Sequence, residues 1–110
     1  MWTLQEALPL IKKISPIAQR HGFSVALYGS VLDSGESEKD LDLFFVEQEP
    51  DICNVQGCLD EIATLPEVGH CGEALSCAGG ALCPIWLRDG KHYIDAQFRL
   101  LRNGNDDSPA

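Results

Sequence analysis

Apolar positions recur at helical spacing in two parts of the chain and alternate at strand spacing in three others. Leu4, Leu8, Ile11 and Ile14 or Ile17 fall near a three-to-four-residue repeat, which predicts a helix over 4–20. Thr3 with Glu6 forms a capping box at its start, and Gly22 stops it. Pro9 and Pro16 each lack a backbone donor, so this helix is expected to be bent or divided at one of them. A second stripe, Ile52, Val55, Leu59 and Ile62, follows Pro50 and predicts a helix over 52–65 with Asp51 as its N-cap. Between the helices lie a strand over 24–28, apolar enough for burial on both faces, a short helical turn over 30–32, a polar loop over 33–39 and a strand over 39–46. The apolar end of that second strand is expected to be deeply buried. Residues 66–80 show no clear period, and a strand near 74–78 is the one element expected there. Residues 83–88 and 91–101 read as two strands joined by an Asp89-Gly90 hairpin turn. The polar stretch 103–110 is expected to lack structure.

These elements imply an α+β domain over residues 1–102, a mixed sheet of about four strands with helices packed on one face. At 110 residues the chain is long enough for one real core and too short for two.

Side chains on a strand alternate faces, so Asp40 and Asp42 point one way and Leu41 and Leu43 the other, toward a core. The two carboxylates stand roughly 7 Å apart along the backbone. Such a pair bridges divalent cations, which take hard oxygen ligands. On the returning strand, Tyr93, Asp95 and Gln97 share one face and Ile94, Ala96 and Phe98 the other. If that strand lies beside 39–46, Asp95 joins Asp40 and Asp42. Gly29-Ser30, at a strand end feeding a helix start, presents backbone N–H groups with room for close approach, which suits a phosphate. Phosphate and cation on adjacent strand ends point to phosphoryl chemistry.

The net charge of −9 argues against a polynucleotide as partner, since phosphate neutralisation needs clustered Lys and Arg. A single nucleotide remains compatible, its charge offset by metal ions. No apolar run approaches the ~20 residues of a membrane span, and the start of the chain lacks the basic-then-apolar order of a signal peptide, so no membrane partner and a cytoplasmic location are expected. Cys53, Cys58, Cys71, Cys77 and Cys83 are an odd set without a C-x-x-C pair. They read as reduced structural thiols rather than a zinc knuckle with His70. His21, His70 and His92 are scattered and read as structural or exposed. Trp2 and Trp86 read as packing residues, with Trp86 able to stack on a base if it lies at the mouth of the site.

The segment 25–46 resembles the signature of the polymerase-beta-type nucleotidyltransferase superfamily: Tyr28, Gly29 and Ser30, a spacer over 31–39, then Asp40-Leu41-Asp42 between apolar residues. Ile94-Asp95-Ala96 supplies the third carboxylate of that pattern. In size and motif the chain is similar to the minimal, stand-alone members, some of which are antitoxins that adenylylate a partner HEPN toxin, while others are encoded by phages. The resemblance implies transfer of NMP from an NTP to a hydroxyl of a small molecule or protein, with Mg²⁺ or Mn²⁺ as cofactor. It implies that Asp40 and Asp42 bridge two metals, that Asp95 binds the one near the acceptor, and that Gly29 and Ser30 hold the outer phosphates. Many small members carry an arginine a few residues after Gly-Ser, where this chain has Asp33 and Ser34. Lys39, Arg88, Lys91 and Arg99 are the candidates to grip phosphate instead. The larger members' helical clamp domain has no counterpart in this length. The alternative is therefore a non-catalytic module of the same fold that binds a nucleotide or a protein partner.

Overall fold

The computed structural model describes residues 2–29, 34–37, 40–77, 80–90 and 92–100. Its elements, in chain order, are β1 (Trp2–Thr3), α1 (Leu4–Arg20), β2 (Phe23–Tyr28), β3 (Glu36–Ser37), β4 (Asp40–Glu47), a 3-10 turn (Pro50–Ile52), α2 (Val55–Ile62), β5 (Val68–Cys71), β6 (Leu75–Cys77), β7 (Gly80–Leu87) and β8 (Tyr93–Arg99). The fold is α+β, with two helices and a mixed sheet among the described residues.

Helix α1 starts at the capping box: the Thr3 hydroxyl accepts from the Glu6 N–H, and the Glu6 carboxylate accepts from the Thr3 N–H. It runs through Pro9 and Pro16 without division. Both prolines are exposed, and the carbonyls whose helical donors they remove belong to Gln5 and Lys12, also exposed, so the loss falls on the solvent side of the helix. The buried stripe is Ala7, Leu10, Ile14, Ile17 and Ala18; the expected Leu4 and Leu8 are 39% and 46% exposed. Starting the stripe at Ala7 keeps the i, i+3, i+7 repeat but turns it about the axis. Gly22 takes φ +84 and ends the helix, its N–H returning to the Gln19 carbonyl.

Among the described residues the main sheet has six strands rather than about four. Its order is β2-β4-β8-β7-β5, with β6 also pairing with β7. β4 and β8 run parallel, and the other pairs are antiparallel. β1 and β3 form a separate two-stranded ladder. β5 was not anticipated: a register shift between Val68 and His70 interrupts its alternation. β2 lies at a sheet edge and buries only Phe23 fully, so burial on both faces does not occur. β4 alternates half-buried and buried residues along its whole length, so its far end is covered on one face only. The second helix is shorter than expected. The 3-10 turn occupies 50–52, and Asn54, not Asp51, caps α2 by accepting from the Gly57 N–H. Ile52 is consequently exposed.

Leu41, Leu43 and Phe45 of β4, Ile94, Ala96 and Phe98 of β8, and Cys83 and Ile85 of β7 form one buried cluster with α1 and with Cys58, Leu59 and Ile62 of α2. Phe98 is its aromatic centre, edge-on to Phe23 at 5.1 Å and stacked on Phe45 at 4.6 Å. The alternate residues of the same strands form the other sheet face, which carries Asp40, Asp42 and Asp95. The helical turn expected at 30–32, most of the 33–39 loop and the 103–110 tail lie outside the described residues. No helix among the described residues is long and apolar enough to cross a membrane.

Candidate metal centre

Register brings the carboxylates together. Asp40 pairs with Tyr93 and Asp42 with Asp95 on the parallel strands, while Tyr28 of β2 pairs with Asp42 from the other side. Adjacent strands lie about 4.8 Å apart, so paired carboxylates on one face are neighbours. One oxygen from each of Asp40, Asp42 and Asp95 lies within 4.8 Å of the others. Among the described residues this is the one group of His, Cys, Asp and Glu side chains arranged to hold a metal ion.

The electrostatics follow from crowding three like charges on a half-buried face. Burial, then the charges of Asp40 and Asp95 and a hydrogen bond with Asp40, push the Asp42 carboxyl up to about 6. Burial and Asp40 raise Asp95 as well. The effect extends to two phenols. Burial and the charges of Asp42 and Asp95 push Tyr28 up to about 12, against a lowering by Arg99, and burial with Asp40, Asp95 and Asp42 raises Tyr93. A divalent cation fits this donor set: it is all hard oxygen, and a cation would replace the proton that repulsion now recruits.

Gly29 closes the site on the β2 side. With φ +82 it occupies a conformation that favours glycine, and a Cβ there would stand 2.1 Å from Asp42 Oδ2. The strand end therefore approaches the carboxylate closely because position 29 has no side chain. Ser30 lies outside the described residues. Of the candidate phosphate grips, Lys39 and Lys91 also lie outside them. Arg88 is committed elsewhere, donating to the carbonyls of Pro66 and Val68. Arg99 shares the open face, with its guanidinium 4.9 Å above the Phe44 ring.

The sequence reading passed over Tyr28 and Tyr93 as site residues. Tyr28 stacks on Phe44 at 3.8 Å, and its hydroxyl oxygen accepts from the Gln97 amide. Both were legible as neighbours: Tyr28 precedes Gly29, and Tyr93 shares the strand face of Asp95. The site is an open sheet face. A cavity of about 320 Å³ near α1, which Trp2, Leu10, Glu67 and His92 help to line, involves none of the three aspartates.

None of Cys53, Cys58, Cys71 and Cys83 belongs to this centre. Cys58 and Cys83 are buried, Cys53 and Cys71 half-buried, and none of the four is in a disulfide. Burial pushes Cys58 up to about 12 and Cys71 to about 11, which keeps them protonated and inert. His70 is exposed on the open face against Trp86.

No protein-family model matches the chain, and no curated protein sequence matches it.

Proposed function

We propose that the chain is a metal-dependent nucleotidyltransferase of the minimal polymerase-beta-like type, moving NMP from an NTP to a hydroxyl of a small molecule or protein. The observation that carries this reading is the parallel register of Asp42 with Asp95, which brings the third carboxylate beside the Asp40-x-Asp42 pair. Asp40 and Asp42 would hold the ions between donor and acceptor, and Asp95 would hold the ion on the acceptor side. Bound cations would supply positive charge to offset that developing on the transferred group and on the acceptor oxygen. Asp95, beside the acceptor, would help take up the acceptor proton. Gly29 admits a phosphate against the strand end, where a side chain would collide with Asp42. Catalysis would rest on positioning and charge stabilisation, with no covalent enzyme intermediate.

A second reading has its own observation. Asp33 and Ser34 stand where small members of the superfamily carry an arginine, and Arg88 is tied to backbone carbonyls. A non-catalytic module that binds a nucleotide or a partner such as a toxin-like protein would need no such cation.

Titration of wild type and Asp42→Ala with ATP, GTP, CTP and UTP, each with Mg²⁺ or Mn²⁺, separates the two when binding and pyrophosphate release are both followed. Metal-dependent binding lost in the variant, with pyrophosphate released by wild type, supports the enzyme and names the base. Binding without release favours the module. No binding of any NTP at millimolar concentration overturns both nucleotide readings for the isolated chain.

A further inference from the structure

The open face carries a second feature beside the carboxylates. Asp40 pairs with Tyr93, Tyr93 with Trp86, and Trp86 with His70, so one row crosses β4, β8, β7 and β5. The Trp86 and Tyr93 ring centroids are 4.8 Å apart with a 37° tilt. His70 and Trp86 lie at 6.4 Å and within 17° of parallel. Three rings thus form a shelf along the row next to the carboxylates, with Trp86 and Tyr93 half-buried and His70 exposed. The core lies on the other face, so the shelf is not required to close it. Tyr93 pairs directly with Asp40, so the near edge of the shelf borders the acidic site.

The shelf is one-sided. Along the carboxylate row the order is Tyr28 with Gly29, then Asp42, Asp95 and Pro84. The proposed reaction sets the outgoing phosphates at Gly29, and in-line displacement brings the attacking hydroxyl from the opposite side, where Asp95 stands. The shelf begins on that side and runs away from Gly29. We propose that Trp86, Tyr93 and His70 stack against a planar aromatic ring of the acceptor, a small ring compound whose hydroxyl is set off from the ring by a short chain.

This assignment rests on the nucleotidyltransferase reading. Tyr93 and Asp95 are one strand period apart, about 6.6 Å, so a hydroxyl reaching Asp95 lies about that far from a ring over the shelf. A phenol, whose oxygen sits on the ring, is too short. Electron-rich ring faces beside three carboxylates favour a neutral or cationic ring over an anionic one. In the step itself, the acceptor oxygen forms a bond to the alpha-phosphorus and the bond to the bridging oxygen breaks. Pyrophosphate leaves with the electron pair, and the hydroxyl proton passes to Asp95 and on to water.

The chain has two tryptophans, so its indole N–H region in ¹H–¹⁵N spectra holds two signals, which a Trp86→Phe variant assigns. The probes are indole-3-ethanol and its saturated counterpart 2-cyclohexylethanol, titrated without metal or nucleotide. Indole-3-ethanol is expected to move the Trp86 signal and not that of Trp2, and to bind more tightly than the cyclohexyl compound. Its affinity should fall about 5- to 150-fold in Trp86→Ala, the range for loss of one stacked ring. The exposed His70→Ala, which leaves the core untouched, should lose less but measurably. The affinity of Mg²⁺–NTP should be the same in wild type and Trp86→Ala. No movement at Trp86, or equal binding of the saturated probe, overturns the shelf. Weaker NTP binding in Trp86→Ala gives the shelf to the donor's base and overturns the acceptor assignment. Ring binding that depends on Trp86, in a chain that binds no NTP, overturns the nucleotidyltransferase reading and the acceptor assignment with it, while the ring site stands.

Discussion

The three carboxylates should cost the metal-free protein stability, and Asp42 is where that cost is measured. Its carboxyl is raised to about 6 from an ordinary 3.8, by burial first and then by Asp40 and Asp95. Between those values the folded protein binds more protons than the unfolded chain, so stability falls as pH rises through the window and stays lower above it. The separation corresponds to about 3 kcal/mol at 1.36 kcal/mol per tenfold. Asp42 is partly exposed, and solvent screening reduces this to about 1–2 kcal/mol. Asp42→Asn keeps the side chain's shape and removes its charge. In urea denaturation at pH 7.5 with EDTA, the variant should be more stable than wild type by that amount, and the difference should vanish near pH 4. Adding Mn²⁺ should reverse the order. A ligand at a hundred times its Kd contributes about 2.7 kcal/mol to the state that binds it, more than that deficit, and only wild type retains the full ligand set. An Asp42→Asn variant less stable than wild type at pH 7.5 without metal would refute the reasoning, because the carboxylate would then be a favourable partner rather than a repelled one.

Two further substitutions test the frame around the site. Gly29→Ala and Gly90→Ala both force a side chain onto positive φ, at about 1–2 kcal/mol each, but only the first meets the site: its Cβ would stand 2.1 Å from Asp42 Oδ2, whereas nothing lies within 4 Å at Gly90. Mn²⁺ affinity by calorimetry should therefore fall about tenfold or more in Gly29→Ala and hold in Gly90→Ala; equal affinities would show that Gly29 does not position Asp42. Phe98→Ala opens the core between Phe23 and Phe45 and should lower unfolding free energy by about 3–5 kcal/mol. A loss below about 1.5 kcal/mol in urea denaturation would contradict the place of Phe98 at the centre of the buried cluster.

The two faces of β4 and β8 were legible because alternation is a strict local signal: Asp40 and Asp42 against Leu41 and Leu43, Tyr93 and Asp95 against Ile94 and Ala96. The ends of α1 were legible for a similar reason, since Thr3, Glu6 and Gly22 act through backbone groups a few residues away. What depended on distant contacts was not. Leu4 and Leu8 are as apolar as Leu10, and only the docking of α1 on the sheet decides which are covered. A local cap signal at Asp51 lost to Asn54 because a 3-10 turn takes up the residues between. β5 stayed hidden because its bulge breaks the two-residue period. The edge position of β2 could not be read from Val25, Ala26 and Leu27, whose apolarity suits a central strand equally well.

The pairing of β4 with β8 is the least local feature and the one on which the site depends. Among the described pairs of the main sheet it is the parallel one, and parallel strands cannot be joined by a tight turn. The chain between Glu47 and Tyr93 supplies the crossover, carrying α2, β5, β6 and β7 before β8 begins. Because both strands run the same way, their first residues meet at one end of the sheet. Asp40 and Asp42 open β4, and Tyr93 and Asp95 open β8. Had β8 paired antiparallel over the same span, Asp95 would lie opposite Phe44, away from Asp40 and Asp42, as an ordinary solvated charge. Parallel pairing instead opposes like charges directly, which is unfavourable in a sheet by up to about 1 kcal/mol. A face built only for solvation would spread such charges apart. This one gathers them beside a glycine that leaves the approach open, so a divalent cation arriving there gains the repulsion it relieves as well as its own coordination.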